Sequence, residues 1–266
     1  MLIDIHSHLD HWHFKDDIGK VIEKAKEADV KIILTAGINP ETNRRALEIA
    51  KKYGIVKPCL GIYPIHALQK EIESGEFPSE NDNIFDLDEE IEFIEKNKKN
   101  IVAIGEVGLD YSLVHDKAEQ KELFEKMISL AESISKPIII HSRKAEEDAI
   151  NMLQSSKLKK IIMHCFTGRK HLVKKIIDNG WFLTAPTCIT RATQFQENVK
   201  LCPITQLFCE TDAPYLSPCK NPINPKEFQR NEPALIIESY KKIAEIKGME
   251  LKEVVNNIWM NWQRAF

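Results

Sequence analysis

The sequence predicts an α/β fold, a single (β/α)8 barrel spanning residues 1–266. Three observations carry that expectation. Short apolar runs alternate with longer amphipathic stretches from end to end. The short runs are rich in Ile and Val and apolar at successive positions, as strands are when both faces of a parallel sheet are covered. The length, 266 residues, suits one large barrel. A doubly wound open sheet would normally carry a Gly-rich phosphate turn after an early strand, and this chain has none.

The strand-like runs, in order, are Leu2–His6, Lys31–Ala36, Val56–Ile62, Ile101–Val107, Pro137–His141, Lys160–Cys165, Trp181–Ala185 and Gln206–Thr211. Helical patterns separate them. Asp16–Asp29 opens with acidic residues, which favour a helix N-terminus. Pro40–Tyr53 has Pro at its first position and Gly54 just past its end. Phe85–Lys99, Asp116–Ser135, Lys144–Ser156, Arg169–Asn179 and Arg191–Val199 follow the same logic, and Glu232–Lys247 and Leu251–Ala265 close the chain. The longest irregular stretches are Gln69–Asn83 and Ala213–Asn231. The second carries Pro214, Pro218, Pro222 and Pro225 and reads as a stiffened active-site loop. No linker or composition shift divides the chain, so one domain is expected.

Hydrophobic residues make up 43% of the sequence, enough for a sizeable core. A formal net charge of −3 leaves no whole-molecule positive field for nucleic acid or anionic membrane, so phosphate recognition must be local to a cleft. The start has neither a basic segment nor an apolar core of signal-peptide type, and no run is long enough to span a bilayer. Six scattered cysteines, several in strand-like runs, read as reduced thiols of a cytoplasmic protein. No membrane association and no obligate protein partner is expected.

The stretch LIDIHSHLDHWHF packs His6, His8, His11 and His13 directly behind an apolar start. Positions i and i+2 of a strand share a face, so His6 and His8 can reach one ion. Catalytic groups of such barrels gather at the C-terminal ends of the strands. There the fourth strand places Glu106 and Asp110, the fifth His141, the sixth His164, and the eighth Glu210 and Asp212. Any one of these residues has an ordinary structural use, such as a hydrogen-bonded core histidine or a turn-starting aspartate. Their coincidence at one rim points to metal. Four histidines and two carboxylates exceed one tetrahedral zinc with an open position. They fit two divalent ions, of Zn, Mn, Fe or Co, with Mg less suited to imidazole. Paired ions support hydrolysis by a bridging hydroxide.

These residues resemble the TatD-type metal-dependent deoxyribonucleases, a branch of the amidohydrolase-like barrels. The resemblance lies in Asp4-Ile5-His6-Ser7-His8-Leu9-Asp10, Gly105-Glu106-Val107-Gly108-Leu109-Asp110-Tyr111, His141-Ser142-Arg143, His164-Cys165-Phe166-Thr167-Gly168, Glu210-Thr211-Asp212-Ala213-Pro214-Tyr215-Leu216 and Arg230-Asn231-Glu232-Pro233, in the family's order. It implies a TIM-like barrel with two divalent metals on His6, His8, Glu106, His141, His164 and Asp212, with Glu106 bridging. It also implies a nuclease that removes nucleotides 3′ to 5′ from DNA ends with a metal-bound hydroxide, Asp212 serving as both ligand and general base. One departure stands out. The family usually reads Gly-x-His-Pro-His after the third strand, and here the residues are Gly61-Ile62-Tyr63-Pro64-Ile65-His66. That leaves Tyr63 and His66 as substrate-facing candidates and keeps open the hydrolysis of another bond: lactone, amide, phosphotriester or aminoacyl ester. A non-catalytic metal scaffold is disfavoured, because all six ligands and the base are present.

Arg143, Arg169 and Arg230 are candidates for a phosphate clamp, since guanidinium matches phosphate bidentately. Lys144 and Lys170 suit an ordinary solvated surface. Tyr63, Phe166 and Tyr215 have the rings to stack on a base, or to pack in a core. His11 and His13 match no ligand position and are expected in the rim loop, with Asp10 in a turn or behind the ligands. His115 and His171 are expected at surface positions near helix starts, and Cys165, next to a proposed ligand, on the opposite face of its strand.

Overall fold

The computed structural model describes residues 1–64, 85–112, 117–219, 224 and 228–266. Eight parallel strands follow one another in chain order: β1 (Leu2–Ser7), β2 (Val30–Ala36), β3 (Val56–Leu60), β4 (Ala103–Gly108), β5 (Ile138–His141), β6 (Ile161–Met163), β7 (Phe182–Pro186) and β8 (Leu207–Glu210). Every residue of β1, β4 and β5 is buried, as strands covered by helices outside and packed side chains inside must be. The sheet curls until β8 meets β1. Asp212 N donates to His6 O at 2.9 Å and His8 N to Ala213 O at 2.7 Å, and Ser7 bridges Ala213 in parallel. The result is a nearly closed (β/α)8 barrel of TIM type.

Helices α1 (Ile18–Glu27), α2 (Pro40–Lys52), α3 (Leu87–Lys96), α4 (Ala118–Ser133), α5 (Glu146–Gln154), α6 (Lys170–Asp178), α7 (Thr193–Leu201), α8 (Ile237–Lys247) and α9 (Leu251–Ala265) surround the strands. Their ends have local causes. The Asn39 side chain accepts from Thr42 N at 3.0 Å while Thr42 Oγ1 accepts from Asn39 N at 3.0 Å, and Pro40 opens α2. Asp86 caps α3 by accepting from the amides of Asp88 and Glu89. Gly248 ends α8 in the left-handed region at φ 62°.

Several boundaries differ from the sequence expectation. The strand expected over Lys160–Cys165 stops at Met163, and Cys165 takes φ 43°. The helix expected from Glu232 begins at Ile237, after a 3-10 turn over Pro233–Ile236. Gln69–Asn83 lies outside the described residues. The described part of Ala213–Asn231 contains no helix and only the isolated bridge at Ala213. All six cysteines are free. Among the described residues, no helix is long and apolar enough to cross a membrane.

Candidate metal centre

The six residues expected to hold metal converge at the C-terminal mouth of the barrel. His6 and His8 leave the end of β1 on one face, with Nε2 atoms 3.2 Å apart. Glu106 rises from β4 between two pairs of imidazoles. Its Oε2 lies 3.3 Å from His6 Nε2 and 3.4 Å from His8 Nε2. Its Oε1 lies 2.8 Å from His141 Nδ1 and 3.8 Å from His164 Nε2. Asp212, just past β8, brings Oδ1 to 3.7 Å from His6 Nε2, 3.5 Å from His8 Nε2 and 4.0 Å from His164 Nε2.

Three of the four imidazoles have their second nitrogen pinned from behind. His8 Nδ1 donates to Ala36 O at 3.0 Å. His164 Nδ1 donates to Glu210 Oε2 at 2.7 Å. His141 Nε2 donates to Asp110 Oδ2 at 2.9 Å. Each such bond fixes the tautomer and leaves the other nitrogen with a lone pair directed at the cluster. Among the described residues His6 Nδ1 is buried without a partner, and its ring stacks against His164 at 3.8 Å between centroids.

The electrostatics express the same crowding. Burial pushes Glu106 upward, but the surrounding histidines outweigh it and hold the carboxyl well below its usual range. Asp212 is lowered in the same way, its burial overcome by His8 and the other imidazoles. Burial lowers His164, yet Glu210 outweighs it and raises the imidazole to about 9. His8 and His141 are also raised, each by carboxylates that overcome burial. His6 is lowered by burial and by His164. The raised histidines hold protons against two buried carboxylates, and a bound cation would displace those protons and take up the nitrogen lone pairs, so the cluster calls for positive charge in either form. Metal ions fit it: His6, His8 and Glu106 form one group with donor atoms all within 4.8 Å of one another, and Glu106, His141 and His164 form another.

Two acidic residues that sequence reasoning had quoted without assigning a role support the ligands. Glu210, fully buried, holds His164 and also accepts from Cys165 N at 3.0 Å. Its spacing from Asp212 repeats that of His6 and His8, and that signal could have found it. Asp110 anchors His141 and accepts from Tyr63 Oη at 2.9 Å. Tyr63 therefore buttresses His141, its Oη 3.0 Å from Nε2. Burial, Glu106 and Asp110 all push its hydroxyl above the usual range, so it stays a neutral donor. A glycine makes this packing possible. A Cβ on Gly108, at φ 142°, would fall 2.0 Å from His141 O.

The cationic candidates scatter. Arg143 is 62% exposed and its Nη1 lies 4.0 Å from Asp110 Oδ2. Arg169 is exposed at the start of α6 and lines a cavity of about 500 Å³ together with Lys144 and His171. Arg230 is already engaged: it pairs bidentately with Asp17 at 2.9 and 2.7 Å, meets Glu232 at 2.6 Å and donates to His13 O. Those partners compensate the charge that the clamp expectation had left free. His66 and His115 lie outside the described residues. Asp10 is buried behind the mouth, where burial raises it to about 6. Cys165 does not turn away from the site. Its Sγ lies within 4.8 Å of donor atoms of His164 and Glu210, because the strand has ended before it and its left-handed φ breaks the alternation.

The sequence model of the family described as "TatD related DNase" matches residues 3–266. The chain is 34% identical to human deoxyribonuclease TATDN3, covering all of this chain and 94% of that one. It is 32% identical to the metal-dependent hydrolase YabD of Bacillus subtilis, covering all of this chain and 99% of that one. In structure it resembles YJJV, a TatD homologue of Escherichia coli K12, with a TM-score of 0.82 at 24% identity over all of this chain and 97% of that one.

Proposed function

The chain belongs to the TatD family of deoxyribonucleases and metal-dependent hydrolases, which act on ester bonds, and from that premise we propose that it removes nucleotides from the 3′ end of single-stranded or frayed DNA with two divalent cations. The observation that carries the two-cation reading is the split of Glu106, one oxygen facing His6 and His8 and the other facing His141 and His164. In this reading His6, His8, Glu106 and Asp212 hold one ion, and Glu106, His141 and His164 hold the second. Zn²⁺, Mn²⁺, Fe²⁺ and Co²⁺ suit the mixed nitrogen and oxygen set better than Mg²⁺. When bound, such ions supply Lewis acidity, lowering the pKa of a water and neutralising phosphoryl oxygens.

The chain's own groups do the rest. The Asp212 carboxylate, held ionised by its histidine neighbours, accepts the proton of the water that attacks phosphorus. The P–O3′ bond breaks, the proton passes from Asp212 to the O3′ that remains on the shortened strand, and a 5′-mononucleotide leaves. Glu210 keeps His164 oriented, and Asp110, bonded in turn by Tyr63, keeps His141 oriented. In this reading Arg143 and Arg169 meet flanking phosphates, while Arg230 ties the rim loop to Asp17 and His13 O. A mouth ringed by strand ends admits a single strand more readily than an intact duplex. Residues 1–266 act as one unit in this reading, and six free cysteines suit a reducing compartment such as the cytoplasm.

The test is a 5′-labelled single-stranded oligonucleotide incubated with Mn²⁺-, Mg²⁺- or Zn²⁺-loaded protein, with Asp212→Asn in parallel. The reading expects a ladder shortening from the 3′ end that is lost on chelation and in the variant. An intact oligonucleotide with metal-replete protein would overturn it.

A further inference from the structure

Among the described residues, three of the exposed large apolar side chains share one patch of the barrel mouth: Trp12 at 63% exposure, Phe228 at 49% and Tyr215 at 44%. Their rings are linked through two histidines. His13 stacks on Trp12 with centroids 3.6 Å apart and planes inclined by 28°, and lies 4.5 Å from Phe228. His11 completes a cluster with these two, 4.7 Å from His13 and 5.5 Å from Trp12, and lies 5.5 Å from Tyr215. Tyr215 in turn stands 6.4 Å from the ring of His8. A continuous file of rings thus runs from the candidate metal centre out to solvent.

The file is held in place. His13 N donates to His11 Nδ1 at 3.2 Å, and His11 Nε2 lies 3.0 Å from Tyr215 Oη. Arg230 grips His13 O and Asp17 from below. Singly scattered apolar residues are ordinary on a protein surface, but contiguous flat rings beside a reactive centre mark a contact site. Arg230, which supports the patch, offers no free charge, because Asp17 and Glu232 compensate it. A phosphate backbone, an acidic peptide or an anionic lipid surface would need uncompensated cations there. An unpaired nucleobase needs a π-face, and every base offers one.

We propose that Trp12, His13 and Phe228 form a stacking platform for the unpaired bases next to the 3′-terminal phosphodiester. The proposal rests on the nuclease reading and deepens it. A base inside a duplex has both faces covered by its neighbours, so the platform selects single-stranded or frayed ends over paired ones.

The test is equilibrium binding, separate from hydrolysis. Metal-loaded full-length protein is titrated into fluorescent phosphorothioate-linked oligonucleotides, whose backbone resists cleavage. One carries thymines throughout, and the other is abasic at its three 3′-terminal positions. Trp12→Ala and Phe228→Ala are compared with wild type, and Trp12→Tyr is the conservative rescue; the exposure of both side chains leaves the core untouched. The expected result is a weakening of thymine-oligomer binding by about 5- to 100-fold in Trp12→Ala, recovery in Trp12→Tyr, and abasic binding as weak in wild type as in the variants. Equal binding of the two oligonucleotides by wild type overturns the platform. So does an equal loss on both in Trp12→Ala, or no detectable binding. Base-dependent binding without hydrolysis of an ordinary oligonucleotide would support the platform and refute only the nuclease reading. Hydrolysis with base-independent binding would do the reverse.

Discussion

Glu210 is 2.7 Å from His164 Nδ1, wholly buried, on the side of the imidazole away from the cluster. It acts through the histidine, by fixing the tautomer and raising the basicity of Nε2. Glu210→Gln keeps the shape and removes the charge. Metal affinity should fall about 10- to 100-fold, read by titrating apoprotein with Zn²⁺ or Mn²⁺. An unchanged affinity would show that Glu210 only packs. Glu106→Gln strikes the carboxylate between the two histidine pairs, so bound metal should drop from two ions per chain to one or none, counted by elemental analysis. Two ions retained in that variant would remove Glu106 from the bridging position. The cluster of candidate ligands was legible because their type and spacing are unusual for strand ends. Glu210 and Asp110 stood in the same motifs, but a carboxylate that touches a ligand looks, in sequence, like any other carboxylate. Tyr63 was expected to face substrate, and its hydroxyl also bonds Asp110, a tie that the sequence did not signal.

Between elements, Gly108 and Asn43 decide how the strands and helices under the site fit together. Gly108 lets β4 lie against β5. Gly108→Ala would force a Cβ to within 2.0 Å of His141 O at a positive φ. A destabilisation of about 3 kcal/mol or more is expected, measured as a lowered urea midpoint, with activity lost because His141 is displaced. A midpoint within error of wild type would mean that the backbone relaxes freely there. On the neighbouring side, the Asn43 side chain in α2 donates to Gly61 O at 3.0 Å and to Glu90 Oε1 at 2.8 Å, and accepts from Gly61 N at 3.2 Å. It ties α2 and α3 to the turn after β3. Asn43→Ala removes both side-chain bonds to Gly61 and, among the described residues, one of the two partners of the buried Glu90 carboxylate, the other being Arg44. About 2–4 kcal/mol of stability should be lost, again read from the denaturation midpoint. The existence of each strand was legible from its Ile- and Val-rich run. The ends were not: β6 stops at Met163 although Cys165 continues the apolar run. Where a strand stops depends on its neighbours' pairing, which a single sequence does not carry.

At the scale of the whole molecule, the candidate ligands come from β1, β4, β5, β6 and the residue following Thr211, so bound cations would tie five staves of the barrel together. They would also span its seam, where β8 and β1 meet through few backbone bonds. Side chains reinforce that seam. Asp4 accepts from Thr211 N at 2.8 Å and Thr211 Oγ1 at 2.5 Å, and Tyr240 Oη accepts from Ile3 N and donates to Ile3 O. The number and order of strands followed from the sequence, but this long-range closure joins residues about 200 positions apart and has no local signature. It makes metal binding a contribution to stability, since ions bind the folded chain and find no preformed site in the unfolded one. Cation at a hundred times its dissociation constant should stabilise the fold by about 2.7 kcal/mol. At about 2–4 °C per kcal/mol for a chain of this size, chelation should lower Tm by roughly 5–10 °C. In a His6→Ala, His8→Ala double variant, whose own Tm is lower, the chelator should shift Tm by much less, because one of the two donor groups is gone. The comparison is made within each protein, so the cost of the substitutions cancels. Complete metal release by chelator with no change in wild-type Tm would mean that the ions sit on a barrel already closed without them.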